Sequence, residues 1–249
     1  MSETTLDLTI NKDVAEATFK TDGGLNVLSS SVIDRIAEVA QEVKSAPKVR
    51  YFILGAEGKV FVAGANIKEL SSLDAAGAAE LSNRGNKAFD AIADLPCITI
   101  ARLHGAALGG GLEVAMACDF LAAVASAKLG LPESSLGLVP GWKGIQRLSA
   151  RIGVHHAKRL MFSADAIEGT DAHQSGLVDI LASDEGDLDT KIEELMRRCR
   201  RGSPHAISQI KQAIKTNDET RAFAACFDHA ESTEGISAFL ERRSTNWME

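Results

Sequence analysis

Hydrophobic and polar positions alternate along two short runs near the start of the chain, Leu6–Ile10 and Val14–Phe19, on either side of Asn11-Lys12-Asp13. A period of two around a turn predicts a β-hairpin with one buried face. A glycine-containing loop over Thr21–Leu28 follows, and then the period lengthens. Ser29–Ser31 offer N-caps, and Val32, Ile33, Ile36, Val39, Ala40 and Val43 recur at helical spacing as far as Lys44. Tyr51–Leu54 is an apolar run that stops at Gly55 and reads as a buried strand. Residues 75–95 are alanine-rich and helical, closed by Pro96. Cys97–Leu103 reads as a strand, Leu108–Gly111 as a glycine turn, Leu112–Cys118 as a helix and Phe120–Val124 as a further strand. This recurring order of strand, glycine turn and helix predicts an α/β layered core over residues 1–184. From 185 to 249 the pattern is helical throughout, with segments near 186–201, 204–216, 219–230 and 232–242. No repeat at a fixed period and no low-complexity tract interrupts it.

The length of 249 residues fits one large domain, or a domain with a small subdomain. Basic residues number 27 against 34 acidic ones, a net charge of −7, which argues against a nucleic-acid partner because phosphate backbones select basic surfaces. Cys97, Cys118, Cys199 and Cys226 form no CxxC pair and read as buried free thiols of a reducing compartment. Met1–Ile10 lacks the basic segment and apolar run of a secretory signal, and apolar stretches break off before membrane-spanning length. A soluble, cytoplasmic protein with no membrane partner is expected.

Three segments carry candidate chemistry. In Lys59–Lys68, the small residues Ala63-Gly64-Ala65 let a ligand approach the backbone just before a short helix; the alternative is a tight packed turn. In His104–Glu113, Gly109-Gly110-Gly111 lie between a strand and a helix, where backbone N–H groups stabilise an oxyanion. The spacing is neither a dinucleotide fingerprint nor a Walker A loop. Glu113 reads either as a solvent carboxylate matched to the helix dipole or, given Leu112, Val114, Ala115 and Met116 around it, as a buried carboxylate with a task. In Lys128–Gly141, Glu133 follows Pro132 and sits in a first helical turn, the ordinary place for a carboxylate. Two such carboxylates beside glycine-rich backbone are the parts of a general acid/base site. His155-His156 lacks further ligands at metal spacing, Ser134-Ser135 lacks a nucleophile elbow, and Asp119 and His104 read as structural groups. No metal is expected.

Taken together, Phe61–Lys68, Gly105–Asp119, Leu131-Pro132-Glu133 with Gly137 and Pro140-Gly141, Gln146-Arg147-Leu148, Ala166–Val178 and Glu234–Arg243 resemble, in order and over nearly the whole chain, the enoyl-CoA hydratase/isomerase (crotonase) superfamily. The resemblance implies a spiral of ββα units with a helical C-terminal trimerisation region, a homotrimer or dimer of trimers, and acyl-CoA thioester substrates. It implies an oxyanion hole at the backbone N–H groups of Ala65 and Gly110, where loss of one donor costs ~100–1,000-fold in rate. Ala63, Gly64, Asn66, Ile67 and Lys68, with Gly109, Gly141 and Trp142, would line the substrate path, Lys68 as a point charge for CoA phosphates. By the same resemblance Glu113 activates the water that adds at C3 and Glu133 delivers the proton at C2. The resemblance thus implies a lyase of fatty acid metabolism, with the activity of an enoyl-CoA hydratase converting 2-trans-enoyl-CoA to 3-hydroxyacyl-CoA. No separate cofactor is implied, since CoA enters as part of the substrate.

Two other readings are weighed. A Δ3-Δ2 enoyl-CoA isomerase, or another acyl-CoA-processing member, needs only one of the carboxylates. A scaffold or RNA-binding relative needs neither, and the net charge of −7 counts against RNA. The chain departs from the superfamily pattern at Trp142 and Lys143, where many relatives have small residues, and at Asn66, where relatives often carry Asp. Trp142 is expected to narrow the acyl pocket. Lys143, if inward, would depress the pKa of Glu133; outward is the commoner position for a lysine.

Overall fold

The computed structural model describes residues 3–23 and 25–248; Gly24 of the predicted loop, with Met1, Ser2 and Glu249, lies outside the described residues. Strands β1 (Thr5–Asn11) and β2 (Val14–Lys20) form the predicted antiparallel hairpin, turning through Lys12-Asp13. Leu6, Ala15, Ala17 and Phe19 of its alternating pattern are buried. Helix α1 (Ser30–Lys44) starts where the Ser29 hydroxyl accepts from the Val32 N–H, and it buries the six apolar residues whose spacing predicted it.

From here the chain repeats one move. β3 (Tyr51–Ala56) is followed by the short β4 (Val60–Val62) and by helices α2 (Ile67–Leu70) and α3 (Ala75–Ala93). β5 (Ile98–Leu103) is followed by β6 (Ala106–Leu108) and α4 (Gly110–Ala115), and β7 (Phe120–Val124) by β8 (Lys128–Gly130) and a 3₁₀ turn, Pro132–Leu136. Each unit gives its longer strand to one sheet and its three-residue strand to a second. The first sheet runs β1-β2-β3-β5-β7-β10 and the second β4-β6-β8-β9. Helix α5 (Gly144–Ser163) leads to β9 (Ala166–Glu168), α6 (Gly169–Gln174) and β10 (Ile180–Ala182), which complete both sheets. The result is the ββα spiral expected from the sequence.

Helices α7 (Glu185–Cys199), α8 (Pro204–Thr216), α9 (Glu219–Phe227) and α10 (Ala230–Glu241) follow. Leu188 and Ile192 of α7 join the same core as β7. By contrast Phe223, Phe227, Ile236, Phe239 and Leu240 of α9 and α10 stand exposed.

Some expectations need correction. The helix predicted over Leu112–Cys118 runs from Gly110 to Ala115, because Gly109 alone makes the turn and the next two glycines are already helical. The break between the last two helices falls at Asp228-His229, where the His229 ring caps α10. Cys97 and Cys118 are buried free thiols, pushed up to about 11 and about 12 by burial, but Cys199 and Cys226 are only half-buried. Among the described residues no helix is long and apolar enough to cross a membrane.

Candidate active site

The second sheet assembles the site. β4, β6 and β8 are parallel neighbours that end at Val62, Leu108 and Gly130. The segments leaving them are the three picked out in the sequence, which therefore meet at one edge, as ligand-binding loops do beyond the carboxyl ends of parallel strands.

Each glycine of Gly109-Gly110-Gly111 has its own reason. Gly109 has φ +51, and a Cβ there would lie 2.8 Å from Glu133 Oε1. A Cβ at Gly110 would meet the Trp142 ring at 2.4 Å, and one at Gly111 the Val62 carbonyl at 2.2 Å. Gly110 is the first helical residue of α4, so its N–H has no acceptor within the helix. On the facing loop, Leu28 N donates to Gly64 O at 2.8 Å and Asn66 N to Leu28 O at 2.9 Å. The Ala65 N–H between them, like that of Gly110, has no acceptor among the described residues.

Glu113 is 1% exposed. Its Oε1 accepts from the backbone N–H of Trp142 at 2.7 Å and of Gly144 at 2.9 Å. Burial pushes its carboxyl up to about 7; the neighbouring Glu133 adds to that, while the two N–H donors and Arg147 oppose it. Burial also raises Glu133, whose Oε2 is buried without a hydrogen-bond partner. The dipole-matched solvent carboxylate is thereby excluded for Glu113.

The loop that grips Glu113 is held from behind. Arg147 of α5 donates to Trp142 O and to Asp90 Oδ1, both at 3.0 Å. Lys143 points outward to Asp90, as a surface lysine should, and does not approach Glu133. The Trp142 indole packs edge-on against Phe89, with centroids 5.5 Å apart, and its Nε1 donates to Leu81 O at 3.3 Å.

These residues enclose a cavity of about 340 Å³. Ala63, Gly64, Ala65, Ile67, Gly109, Gly110, Glu113, Glu133, Gly141 and Trp142 all line it. Asn66 and Lys68 do not: the Asn66 side chain caps α2 by accepting from Lys68 N at 3.1 Å, and Lys68 is exposed. Asp119 exchanges hydrogen bonds with Thr99 at 2.8 Å and pairs with Lys211, and His104 bonds Gly58 O at 2.9 Å; neither lines the cavity. Sequence reasoning missed Ala78, Leu81 and Ser82 of α3, and Leu136, Leu138 and Val139. The signal for the first three is the helical spacing of Ala78, Leu81, Ser82 and Gly85 on one face. No group of three or more His, Cys, Asp or Glu among the described residues is placed to hold a metal ion.

Comparison with known proteins gives a consistent picture. The family model described as enoyl-CoA hydratase/isomerase matches residues 9–249. A probable enoyl-CoA hydratase of Bacillus subtilis is 37% identical, covering 88% of this chain and 89% of the relative. The mitochondrial methylglutaconyl-CoA hydratase of Mus musculus is 36% identical, covering 88% of this chain and 74% of the relative. The crystal structure of an enoyl-CoA hydratase from Geobacillus kaustophilus superimposes with a TM-score of 0.90 at 28% identity, covering 99% of this chain and 97% of that one.

Proposed function

The chain belongs to the enoyl-CoA hydratase/isomerase family, and from that premise we propose that it reversibly hydrates 2-trans-enoyl-CoA to 3-hydroxyacyl-CoA. The observation that carries this reading is that one cavity holds the buried Glu113, the half-buried Glu133 with its Oε2 enclosed and unpartnered, and two backbone donors that have no acceptor among the described residues. The Ala65 and Gly110 N–H groups hold the thioester oxygen as it gains enolate charge, and such donors act strongly where water is excluded. Glu113, whose Oε1 is committed to two N–H donors, is the carboxylate suited to carry charge and take a proton from water attacking C3. Burial raises Glu133 against the one backbone hydrogen bond that supports its anion, and its Oε2 has no partner, so it is suited to keep a proton and deliver it to C2. Dehydration exchanges the two roles. A group titrating near neutrality both takes and returns protons at working pH.

Ala63, Gly64, Ala65 and Ile67 would pass the pantetheine arm, with Asn66 and Lys68 outside the cavity toward the CoA phosphates. The CoA is part of the substrate, and no separate cofactor is required by this chemistry. An isomerase has no task for the second carboxylate of the cavity, and a scaffold has none for either, since removing a carboxylate from water is costly even in part.

The exposed apolar residues of α9 and α10 favour self-association as a trimer or dimer of trimers, with residues 185–249 as the helical region that mediates it and 1–184 as the ββα core. Free thiols and acyl-CoA chemistry favour the cytoplasm.

The test is loss of the conjugated thioester absorbance of crotonyl-CoA. Glu113→Gln and Glu133→Gln are each expected to lower kcat ~100–10,000-fold. Full rate in either variant overturns the mechanism.

A further inference from the structure

We propose that Trp142 is the end wall of the cavity and restricts it to short, uncharged acyl groups. The inference takes the reaction from the reading above, but the length limit is a property of the cavity itself.

The cavity has a direction. Ile67 and Val139 on its lining are 56% and 70% exposed, whereas Glu113 and Trp142 are 1% and 4% exposed. A thioester enters past the exposed residues, seats its carbonyl at Ala65 and Gly110, and places C2 and C3 between the two glutamates. The carbons beyond C3 then meet the buried end, where the indole stands.

That indole fills a seam which two glycines leave open. A Cβ on Gly85 of α3 would lie 2.3 Å from its Nε1, and a Cβ on Gly110 of α4 2.4 Å from its Cζ3. Three contacts fix it: Nε1 donates to Leu81 O at 3.3 Å, the ring sits edge-on to Phe89, and the backbone N–H is bonded to Glu113. A wall packed to this density does not yield to an extra methylene.

Charge is excluded as well. Among the described residues no Lys, Arg or His lines the cavity. The cations behind the wall, Lys143 and Arg147, are both paired with Asp90. The Ser82 hydroxyl, the polar side chain on the α3 wall, already donates to Gly141 O at 2.7 Å. A carboxylate at the far end of the acyl group would be desolvated with no partner.

The test compares kcat/KM for crotonyl-, hexenoyl- and decenoyl-CoA, and for glutaconyl-CoA, which ends in a carboxylate, in the wild type and in Trp142→Ala and Trp142→Phe. The wild type is expected to lose about 100-fold or more between the four-carbon and ten-carbon substrates. Trp142→Ala should recover most of that ratio, with Trp142→Phe between the two. Glutaconyl-CoA should lie about 100-fold or more below crotonyl-CoA in the wild type and both variants, because removing the indole supplies no cation.

Equal rates across chain length in the wild type, an unchanged ratio in the variants, or glutaconyl-CoA turned over as fast as crotonyl-CoA overturns the proposal. If Trp142→Ala does not fold, Trp142→Phe and the wild-type series decide. Calorimetric binding of butyryl-, hexanoyl- and decanoyl-CoA repeats the comparison without turnover. Absence of any hydration overturns the reaction alone, whereas equal affinities across length overturn the wall.

Discussion

The backbone N–H of Trp142 donates a 2.7 Å hydrogen bond to the carboxylate of Glu113, so the residue proposed as the end wall of the cavity also holds the carboxylate proposed as general base. On that proposal the indole and the amide of one residue would serve two purposes, one steric and one electrostatic. Because the base is gripped by backbone, side-chain changes at position 142 leave its two donors in place. Substrate preference and proton transfer are for that reason separable by mutation.

The first prediction concerns pH. Burial raises Glu113 from 4.5 to about 7, so the folded state binds its proton more tightly than the unfolded chain does. For a raised group the stabilising contribution is complete below the unfolded value and is lost as pH rises through the folded one. Wild-type Tm should therefore fall between about pH 5 and pH 8 by an amount that Glu113→Gln, which has no proton to lose, does not show. A tenfold difference in proton affinity between the two states is worth ~1.4 kcal/mol, so the whole effect is on the order of 3 kcal/mol. The rate moves in the opposite sense: hydration requires the deprotonated base and should decline below pH about 7. Differential scanning calorimetry and a kcat profile over the same range check both halves.

A second prediction follows from Arg147, which touches no reacting atom but joins Trp142 O to Asp90. It acts as a positioning residue for the loop that grips Glu113, and its positive charge also lowers the Glu113 pKa. Arg147→Met should reduce kcat by up to about 100-fold with little change in KM, since misplacement of the base by a fraction of an ångström is enough. The acid limb of the pH profile should move upward in the same variant, with partial return in Arg147→Lys. A purely structural role would leave that limb where it is.

The visibility of these features in the sequence followed segment length. The hairpin, α1, β3, α3, β5 and β7 are each five residues or longer and carry a clear period or an apolar run. β4, β6, β8 and β9 are three residues each, too short for any period to register. The ββα repeat has no fixed spacing in the sequence: β3, β5 and β7 begin at Tyr51, Ile98 and Phe120, because α2 and α3 lengthen one unit. Helix α5 was hidden by the break at Gly153, which has φ +77. Glu113 and Glu133 were legible as carboxylates among apolar neighbours. Arg147 was legible only as part of a motif, since its role depends on Asp90 on α3, 57 positions away.

Lys143 supplies a third prediction. It is the αL residue before α5, with φ +64, and its ammonium pairs with Asp90 at the surface. Lys143→Gly relieves a left-handed conformation at a cost of one exposed ion pair. The first effect is worth ~1 kcal/mol and the second ~0–1 kcal/mol. Tm should be unchanged or slightly higher, and neither crotonyl-CoA turnover nor chain-length preference should move. A marked loss of rate would place Lys143 in the site after all.

The last prediction concerns assembly. Phe223 and Phe227 stack edge-on along α9 at 5.1 Å, and Ile236, Phe239 and Leu240 stand on α10, all more than half exposed in the isolated chain. Burying one such side chain fully contributes ~1.5–3 kcal/mol, so these five form the apolar patch best able to offset the entropic cost of bringing copies of the chain together. Charge placed in their midst should cost more than the apolar contact it removes, because it would be desolvated without a partner. Phe239→Glu combined with Phe227→Glu is therefore expected to reduce the mass measured by light scattering to that of one chain. Leu188 and Ile192, which pack α7 on the core, are untouched by these changes, so far-ultraviolet circular dichroism should remain that of the wild type. A mass unchanged from wild type would move the interface elsewhere and leave the exposed phenylalanines without a structural task.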